Sequence, residues 1–324
     1  MKADDYTRLL LTGATGFLGS ALVSRLVADA GFQLVAAVRS KVARLVPGAQ
    51  SIIVGDLKAN TDWSSALSGV EVVIHTAARV HVMNDSVNDP LTEFRKVNLD
   101  GTMALAHQAV QAGVKRFIFI SSIKVNGEET VPGKPFTADD VPNPVDPYGV
   151  SKAETEQALL GLAASTGLEI VIIRPVLVYG PGVKANFRSL MNWLSKRVPL
   201  PLGFVENKRS LVALDNLVGL ILTCIDHPGA VNQVFLVSDD DDLSTTELLQ
   251  RVGQALGKPA KLIPVPAWFI RLAATLIGKR DVSQRLLGSL QVDISKTRDL
   301  LDWLPPVSVD EALQKTAQSF LQQK

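Results

Sequence analysis

Only one cysteine, Cys224, occurs among 324 residues, so no intrachain disulfide can form. That usage fits a reducing, cytoplasmic setting. Cys224 lies in the apolar run LVGLILTCI and reads as a packed core thiol. Histidine is scarce as well: His75, His81, His107 and His227 have no metal-ligand spacing, and no metal is expected. His75, at a strand end, reads as structural. Neither sign of charge dominates. Lys plus Arg number 33 against 32 Asp plus Glu, a net +1, which leaves no basic footprint for nucleic acid. The start, MKADDYTRLLLTG, is acidic and then strand-like, without the apolar core of a secretory signal. The late stretch LIPVPAWFIRLAATLIG, residues 262–278, is interrupted by prolines and Arg271, which argues against a membrane span. It reads as a buried or partner-facing helix, with shallow membrane contact left open. These absences describe a soluble globular chain, long enough for one large domain or a main domain with a smaller lobe.

What is present begins with a rhythm. Short apolar runs (RLLLTG, QLVAAV, SIIVGDL, EVVIHTAA, RFIFISS, EIVIIRP) alternate with helical segments such as GFLGSALVSRLVADAG, PLTEFRKVNLDGTMALAHQAVQAG and YGVSKAETEQALLGLAASTG. That alternation predicts parallel βαβ units with helices on both faces of the sheet. The expected fold class is α/β, a Rossmann-type doubly wound parallel sheet with a smaller mixed C-terminal lobe. The expected boundary gives a dinucleotide-binding domain over 1–175 and, over 176–324, mainly a substrate lobe with some segments returning to the sheet. Past Pro175 the rhythm turns irregular, with Pro- and Gly-rich loops between helices such as FRSLMNWLSK and STTELLQRVGQALG. The run Asp239 to Asp242 reads as a solvated turn before a helix capped near Ser244.

LLLTGATGFLGSAL places Gly13, Gly16 and Gly19 between the first strand and first helix. The first glycine permits a tight turn, the second lets backbone approach a pyrophosphate, and the third lets helix pack on strand. The helix N-terminus then offers free N–H groups to the anion. Thr15, Phe17 and Leu18 belong to the same turn. About 20 residues on, where a carboxylate would hold a ribose 2′-hydroxyl, stands Arg39, followed by Ser40, Lys41 and Arg44. A guanidinium there suits a 2′-phosphate, so NADP(H) is favoured and NAD(H) is possible. Asp56, with Leu57 in GDL, is placed to accept from an adenine amino group, and the small Ala77 and Ala78 let the cofactor lie close.

Tyr148 and Lys152 are four apart and share a helix face. A phenol near pKa ~10 is a poor acid–base group at neutral pH, and a lysine cation one turn away, with a positive nicotinamide ring, lowers that pKa. Lys152 is also placed to hold the nicotinamide ribose. Ser121 and Ser122 close the strand upstream, where a hydroxyl can bond the oxygen that Tyr148 protonates.

These residues, with TGATGFLG, GDL, HTAA, VNLDGT, YGVSK, RPVLVYGPG, RSLVALDNL and DISKTRDLLDW, resemble the extended short-chain dehydrogenase/reductases. The likeness runs over nearly the whole chain and is specific to the nucleotide-sugar branch that includes UDP-glucose 4-epimerase. It implies a catalytic Ser122, Tyr148 and Lys152, an Asn98 that places the active-site helix, and a Pro175 beside the cofactor. It also implies that Ser122, Asn186 and Arg209 contact a UDP-sugar, Arg209 as a cation on the pyrophosphate. A homodimer through a four-helix interface is a further implication.

Three departures narrow the branch. Related 4,6-dehydratases carry Asp-Glu after the catalytic hydroxyl, whereas Ile123 and Lys124 stand here. Epimerases of this type show an acid where Arg39 stands. Many have Tyr-Phe-Asn where this chain has Pro175, Val176 and Leu177. Together with SSIKVNGE and GPGVKANF, which resemble bacterial polysaccharide-biosynthesis enzymes, they put an NAD(P)H-dependent 4-ketoreductase of a UDP-2-acetamido-2,6-dideoxyhexosulose first. A UDP-glucose or UDP-N-acetylglucosamine 4-epimerase with retained NAD is the alternative, and a non-catalytic dinucleotide sensor a minor one.

Overall fold

The computed structural model describes residues 6–41, 48–80, 89–131, 133–276, 278 and 280–323; the side chains of 185, 186, 280–282 and 285 lie outside that description, as do Arg44 and His81. Its centre is a seven-stranded parallel sheet. The strands are β1 (Thr7–Thr12), β2 (Phe32–Val38), β3 (Gln50–Ile53), β4 (Val72–His75), β5 (Arg116–Ile120) and β6 (Glu169–Pro175), with β9 (Gln233–Val237) at the far edge. Their order is β3-β2-β1-β4-β5-β6-β9. All six pairings are parallel, with Leu9 beside Leu34 on one side and Val72 on the other. The order reverses between β1 and β4, the place where open α/β sheets bind ligands outside the strands' carboxyl ends.

Side-chain alternation explains why both faces are covered. Leu9, Leu11, Ile74, Ile118 and Ile173 point to one face, under α1 (Phe17–Val27) and α7 (Leu214–Asp226), and form one core with Leu22 and Leu217. Leu10, Val73, Phe117, Phe119 and Ile172 point to the other, under α4 (Thr102–Gln111) and α5 (Pro147–Ser165), with Leu105 and Leu159. Cys224 is fully buried in the first core, which pushes its thiol up to about 12. Between α3 (Pro90–Phe94) and α4 the expected continuous helix widens into π-type turns over Arg95–Gly101. Such widening clusters at functional sites, and this one carries Asn98.

A third core lies in the C-terminal part. It joins β7 (Leu177–Tyr179), β8 (Leu211–Ala213), α6 (Ala185–Ser195), α8 (Thr245–Ala255) and α12 (Val309–Gln322) through Tyr179, Phe187, Met191, Leu249, Leu313 and Phe320. The cap at Ser244 is a full capping box with Glu247. The acidic run before it is only in part the solvated turn its composition suggested: Asp240 and Asp241 are exposed, whereas Asp239 and Asp242 are drawn inward. Asp239 is buried and accepts from the Tyr179 hydroxyl at 2.8 Å, Asn216 Nδ2 at 2.7 Å and the Ala213 amide at 2.8 Å. Asp242 accepts from Ser210 at 2.5 Å and Gln291 at 2.8 Å. The donors to Asp239 and Asp242 come from elements remote in sequence, β7, β8 and α7 for Asp239 and residues 210 and 291 for Asp242, which composition does not reveal.

Candidate active site

The glycine turn follows β1. Gly13 has φ +72°, and a Cβ there would meet Thr76 Oγ1 at 2.5 Å and the Ala77 amide at 2.8 Å. A Cβ on Gly19 would lie 2.0 Å from the Gly13 carbonyl, so α1 packs on the turn only because that residue is glycine. The Gly16 amide donates to Gly13 O at 2.8 Å. Gly16 then caps α1 with no side-chain cap and no acid in the first turn, so the N–H groups that follow face solvent chemistry rather than a carboxylate. Thr15 is exposed, and Phe17 and Leu18 are half-buried, Phe17 touching both the sheet core and the C-terminal core.

Around this turn the other strand ends converge. Ala77 N donates to Thr12 Oγ1 at 3.2 Å, which locks the half-buried Ala77–Ala78 step to the end of β1. His75 spans Thr12 Oγ1 at 2.8 Å and Thr102 Oγ1 at 2.9 Å. Burial, reinforced by the Lys152 cation, pulls its pKa to about 3, so it is a neutral strut. Leu57 lies against Gly101, where a Cβ would approach to 2.7 Å. Asp56 is exposed beside Lys58 at 3.4 Å. Arg39 is exposed at the end of β2 and makes no hydrogen bond or ion pair with any described residue. Pro175 ends β6, buried beside Val237 of the edge strand.

The helix α5 carries the two candidate acid–base residues, Tyr148 and Lys152. Asp146 caps it, accepting from the Gly149 amide at 2.6 Å, and also pairs with Lys124. Lys152 is 2% exposed; its Nζ donates to Ile120 O at 2.8 Å and sits 4.2 Å from the Phe119 ring centroid. That anchors α5 to the end of β5, two residues before Ser122. One ammonium hydrogen is used there, leaving two for a ligand. Burial draws the Lys152 pKa down to about 7 against the pull of Glu156. Tyr148 packs edge-on to Phe94 at 5.9 Å, and no described group accepts or donates at its hydroxyl. Burial, then the Asp146 carboxylate, pushes that phenol up to about 12. The protein groups alone do not lower it as expected: burial and Asp146 raise it, and the Lys152 ammonium is turned to the Ile120 carbonyl. Ser122 caps the short turn Ile123–Val125, its Oγ accepting from the Lys124 amide at 3.3 Å.

Asn98 is buried and holds two walls at once: its Nδ2 donates to Ser151 Oγ at 3.0 Å and Arg79 O at 3.1 Å, and its Oδ1 accepts from Arg79 N at 2.8 Å. Its carbonyl accepts from Thr155 Oγ1 at 3.0 Å. Ser151 and Thr155 flank Lys152 on α5, so Asn98 sets that helix against the 77–80 segment. Sequence reasoning missed a second brace. Glu156, one turn beyond Lys152, accepts from Ser121 and pairs with Arg174 of β6, Nη2 to Oε2 at 2.5 Å, with both side chains 4% exposed. Arg174 also reaches Asn126 Oδ1 at 2.9 Å. A glutamate spaced i+4 from the lysine on a helix was the available signal.

Of the substrate residues, Asn186 is on α6 with its side chain outside the described set. Arg209 is half-buried between Leu243 and Leu290, its Nη1 donating to Gly288 O at 3.1 Å. Burial lowers its pKa while Glu129 opposes. Glu129 and Thr130 continue the Ser122 loop, and the Thr130 amide bonds Ser289 O at 2.9 Å. The fold therefore ties Arg209 and the catalytic loop to one segment, 288–293.

The model of the NAD dependent epimerase/dehydratase family matches residues 9–238. A UDP-glucose 4-epimerase of Vibrio cholerae is 52% identical over 315 residues, 97% of this chain and 95% of its own. The UDP-N-acetylglucosamine 4-epimerase of Bacillus cereus superposes with a TM-score of 0.79 at 20% identity, over 97% of this chain and 99% of that one. The UDP-glucuronic acid 4-epimerase of Bacillus cereus, in complex with NAD, gives 0.78 at 22%, over 98% and 99%. At those identities the two structures attest the fold.

Proposed function

The chain belongs to the NAD-dependent epimerase/dehydratase family of enzymes, and on that premise we propose that it is a UDP-sugar 4-epimerase acting on UDP-glucose or UDP-N-acetylglucosamine. The observation that carries this reading is the near full-length likeness to a UDP-glucose 4-epimerase, which reverses the order set by Arg39. A dinucleotide fits the residues present: bare backbone at Gly13 and Gly19, an uncapped α1, and two unused hydrogens on Lys152. When bound, NAD supplies the redox chemistry at carbon 4 of the sugar.

The protein's own part is proton handling and positioning. Tyr148 takes the proton from the carbon-4 hydroxyl and returns it to the carbonyl oxygen. A phenol raised by burial holds its proton until an adjacent positive charge favours the phenolate, which a nicotinamide ring provides. Lys152 adds a cation one turn away, and Ser122 holds the reacting oxygen. Inversion requires hydrogen to return to carbon 4 from the opposite face, so the keto sugar would turn while its oxygen stays within reach of Tyr148 and its diphosphate stays held by Arg209. In this reading residues 1–175 carry the dinucleotide and the catalytic trio, 176–324 mainly the nucleotide sugar, and α4 with α5 the dimer contact. The outer face of α5, with Val150, Ala153 and Leu160, borders a cleft of ≈ 610 Å³.

The 4-ketoreductase is the second reading, favoured by the exposed Arg39, which makes no hydrogen bond or ion pair with any described residue. Incubation with UDP-glucose and no added reductant separates the two. Formation of UDP-galactose without net NAD(P)H consumption supports the epimerase. Stoichiometric loss of NADPH with a 4-keto sugar, and no interconversion of UDP-glucose, would replace it with the reductase.

A further inference from the structure

The helix α9 (Ala267–Leu276) takes no part in the site chemistry and has no buried residue. Ala267, Ile270 and Ala274 are half-buried and form its inner face, the first two resting on the C-terminal core. Its outer face is apolar as well. Trp268 is 66% exposed, Phe269 53%, Leu272 51% and Leu276 78%, with Ile263 at 49% just before it. The Ile263 carbonyl accepts from the Gly203 amide at 2.9 Å, which sets Phe204, 58% exposed, beside the same patch. A scattered surface leucine needs no explanation, whereas two adjacent aromatics and three aliphatics on one outward face do.

Charge selects what covers it. Residues 257–280 contain Lys258, Lys261, Arg271, Lys279 and Arg280 and no acid. The neighbouring stretch 196–205, joined to 261–263 through Leu200 and Gly203, contains Lys196 and Arg197 and again no acid. Among the described side chains, the exposed Lys196, Arg197, Lys261 and Arg271 stand against the exposed Glu206, a local excess of one sign in a chain whose net charge is +1. Aromatic and aliphatic residues on one side with lysine and arginine around them is the pattern of a helix lying in the plane of an anionic bilayer surface. No described helix is long and apolar enough to cross a membrane, so the contact is interfacial.

We propose that α9, with Ile263 and Phe204, docks this protein on an anionic phospholipid surface. The docking does not depend on which reaction the site performs. It presents the substrate lobe toward the bilayer, because α9 packs on α10 (Arg280–Leu287), directly before the Gly288 carbonyl that receives Arg209.

The test is vesicle flotation of the full chain with phosphatidylcholine vesicles and with vesicles containing phosphatidylglycerol, read beside tryptophan emission. The wild type should float with the anionic vesicles at least tenfold more than with the neutral ones, with a blue shift, and 0.5 M salt should reverse most of it. A Trp268→Ser, Phe269→Ser, Leu272→Ser variant should lose the binding at least tenfold while keeping its melting temperature and its turnover of a soluble UDP-sugar. Absence of flotation, equal flotation of wild type and variant, or equal binding to both vesicle types would overturn the proposal. So would a wild type that ignores vesicles and loses one step of oligomer size only in the variant, because a second copy of the chain would then be the occupant.

Discussion

The two sides of the candidate site are built on different terms. On the sheet side, polar groups are buried and saturated: His75 between two threonines, Asn98 between Ser151 and Arg79, and Glu156 between Ser121 and Arg174. On the C-terminal side, Asn186 stands on α6 and Arg209 is half-buried between Leu243 and Leu290, its Nη1 donating to the Gly288 carbonyl. On the proposed function, the first side would set groups against a reacting atom and the second would hold a diphosphate while a sugar turns, so precision would lie where bonds change and latitude where the substrate moves.

The comparison breaks most visibly at Tyr148. Tyr148→Phe should lower kcat by about 10²–10⁴-fold. Melting temperature should hardly change, since the hydroxyl has no described partner; a turnover within tenfold of wild type would remove Tyr148 from the chemistry. Next comes the buried brace. Arg174→Met leaves Glu156 uncompensated and should cost about 3–5 kcal/mol of stability in denaturant unfolding. The double replacement Arg174→Met with Glu156→Gln should recover much of that loss. Equal losses in single and double variants would show that the pair has no such role.

Lys152 gives a pH signature. Its folded pKa of about 7 lies below the unfolded value of about 10.4, so between those limits the unfolded chain binds the extra proton. Stability of the ligand-free protein therefore rises with pH through that window, by at most about 1.4 kcal/mol per pH unit from this group. Lys152→Met should flatten the slope, read as the difference between the two unfolding curves from pH 7 to 9. Smallest is Arg39, because it is exposed. Arg39→Asp should weaken NADPH relative to NADH by about tenfold, or 1.4 kcal/mol, in fluorescence titration. Equal losses would mean that Arg39 does not read the 2′-phosphate.

What could be read from sequence follows the same division. The sheet was legible because buried parallel strands are continuous apolar runs such as RFIFI, and because Gly13 and Gly19 sit where no other residue fits. Tyr148 and Lys152 were legible because helical spacing is fixed. The brace from Glu156 to Arg174 was not, since it joins residues on α5 and β6 that only the folded sheet brings together. Asp239 misled for the same reason: four consecutive aspartates look like surface until Tyr179 and Asn216 arrive from elsewhere. The Arg39 position pointed to NADPH and a reductase, and a single exposed cation weighs less than likeness along the whole chain.

The edge strand β9 carries a consequence for how the protein is made. During synthesis β6 is complete at Pro175, but its hydrogen-bonding partner begins only at Gln233. At ribosomal rates of about 5–20 residues per second, β6 waits roughly 3–12 s as an open edge. An exposed strand as apolar as EIVIIRP is a template for pairing with another nascent chain. The sheet is thus finished by a strand that arrives late, and until it does the apolar edge of β6 stays open to pairing.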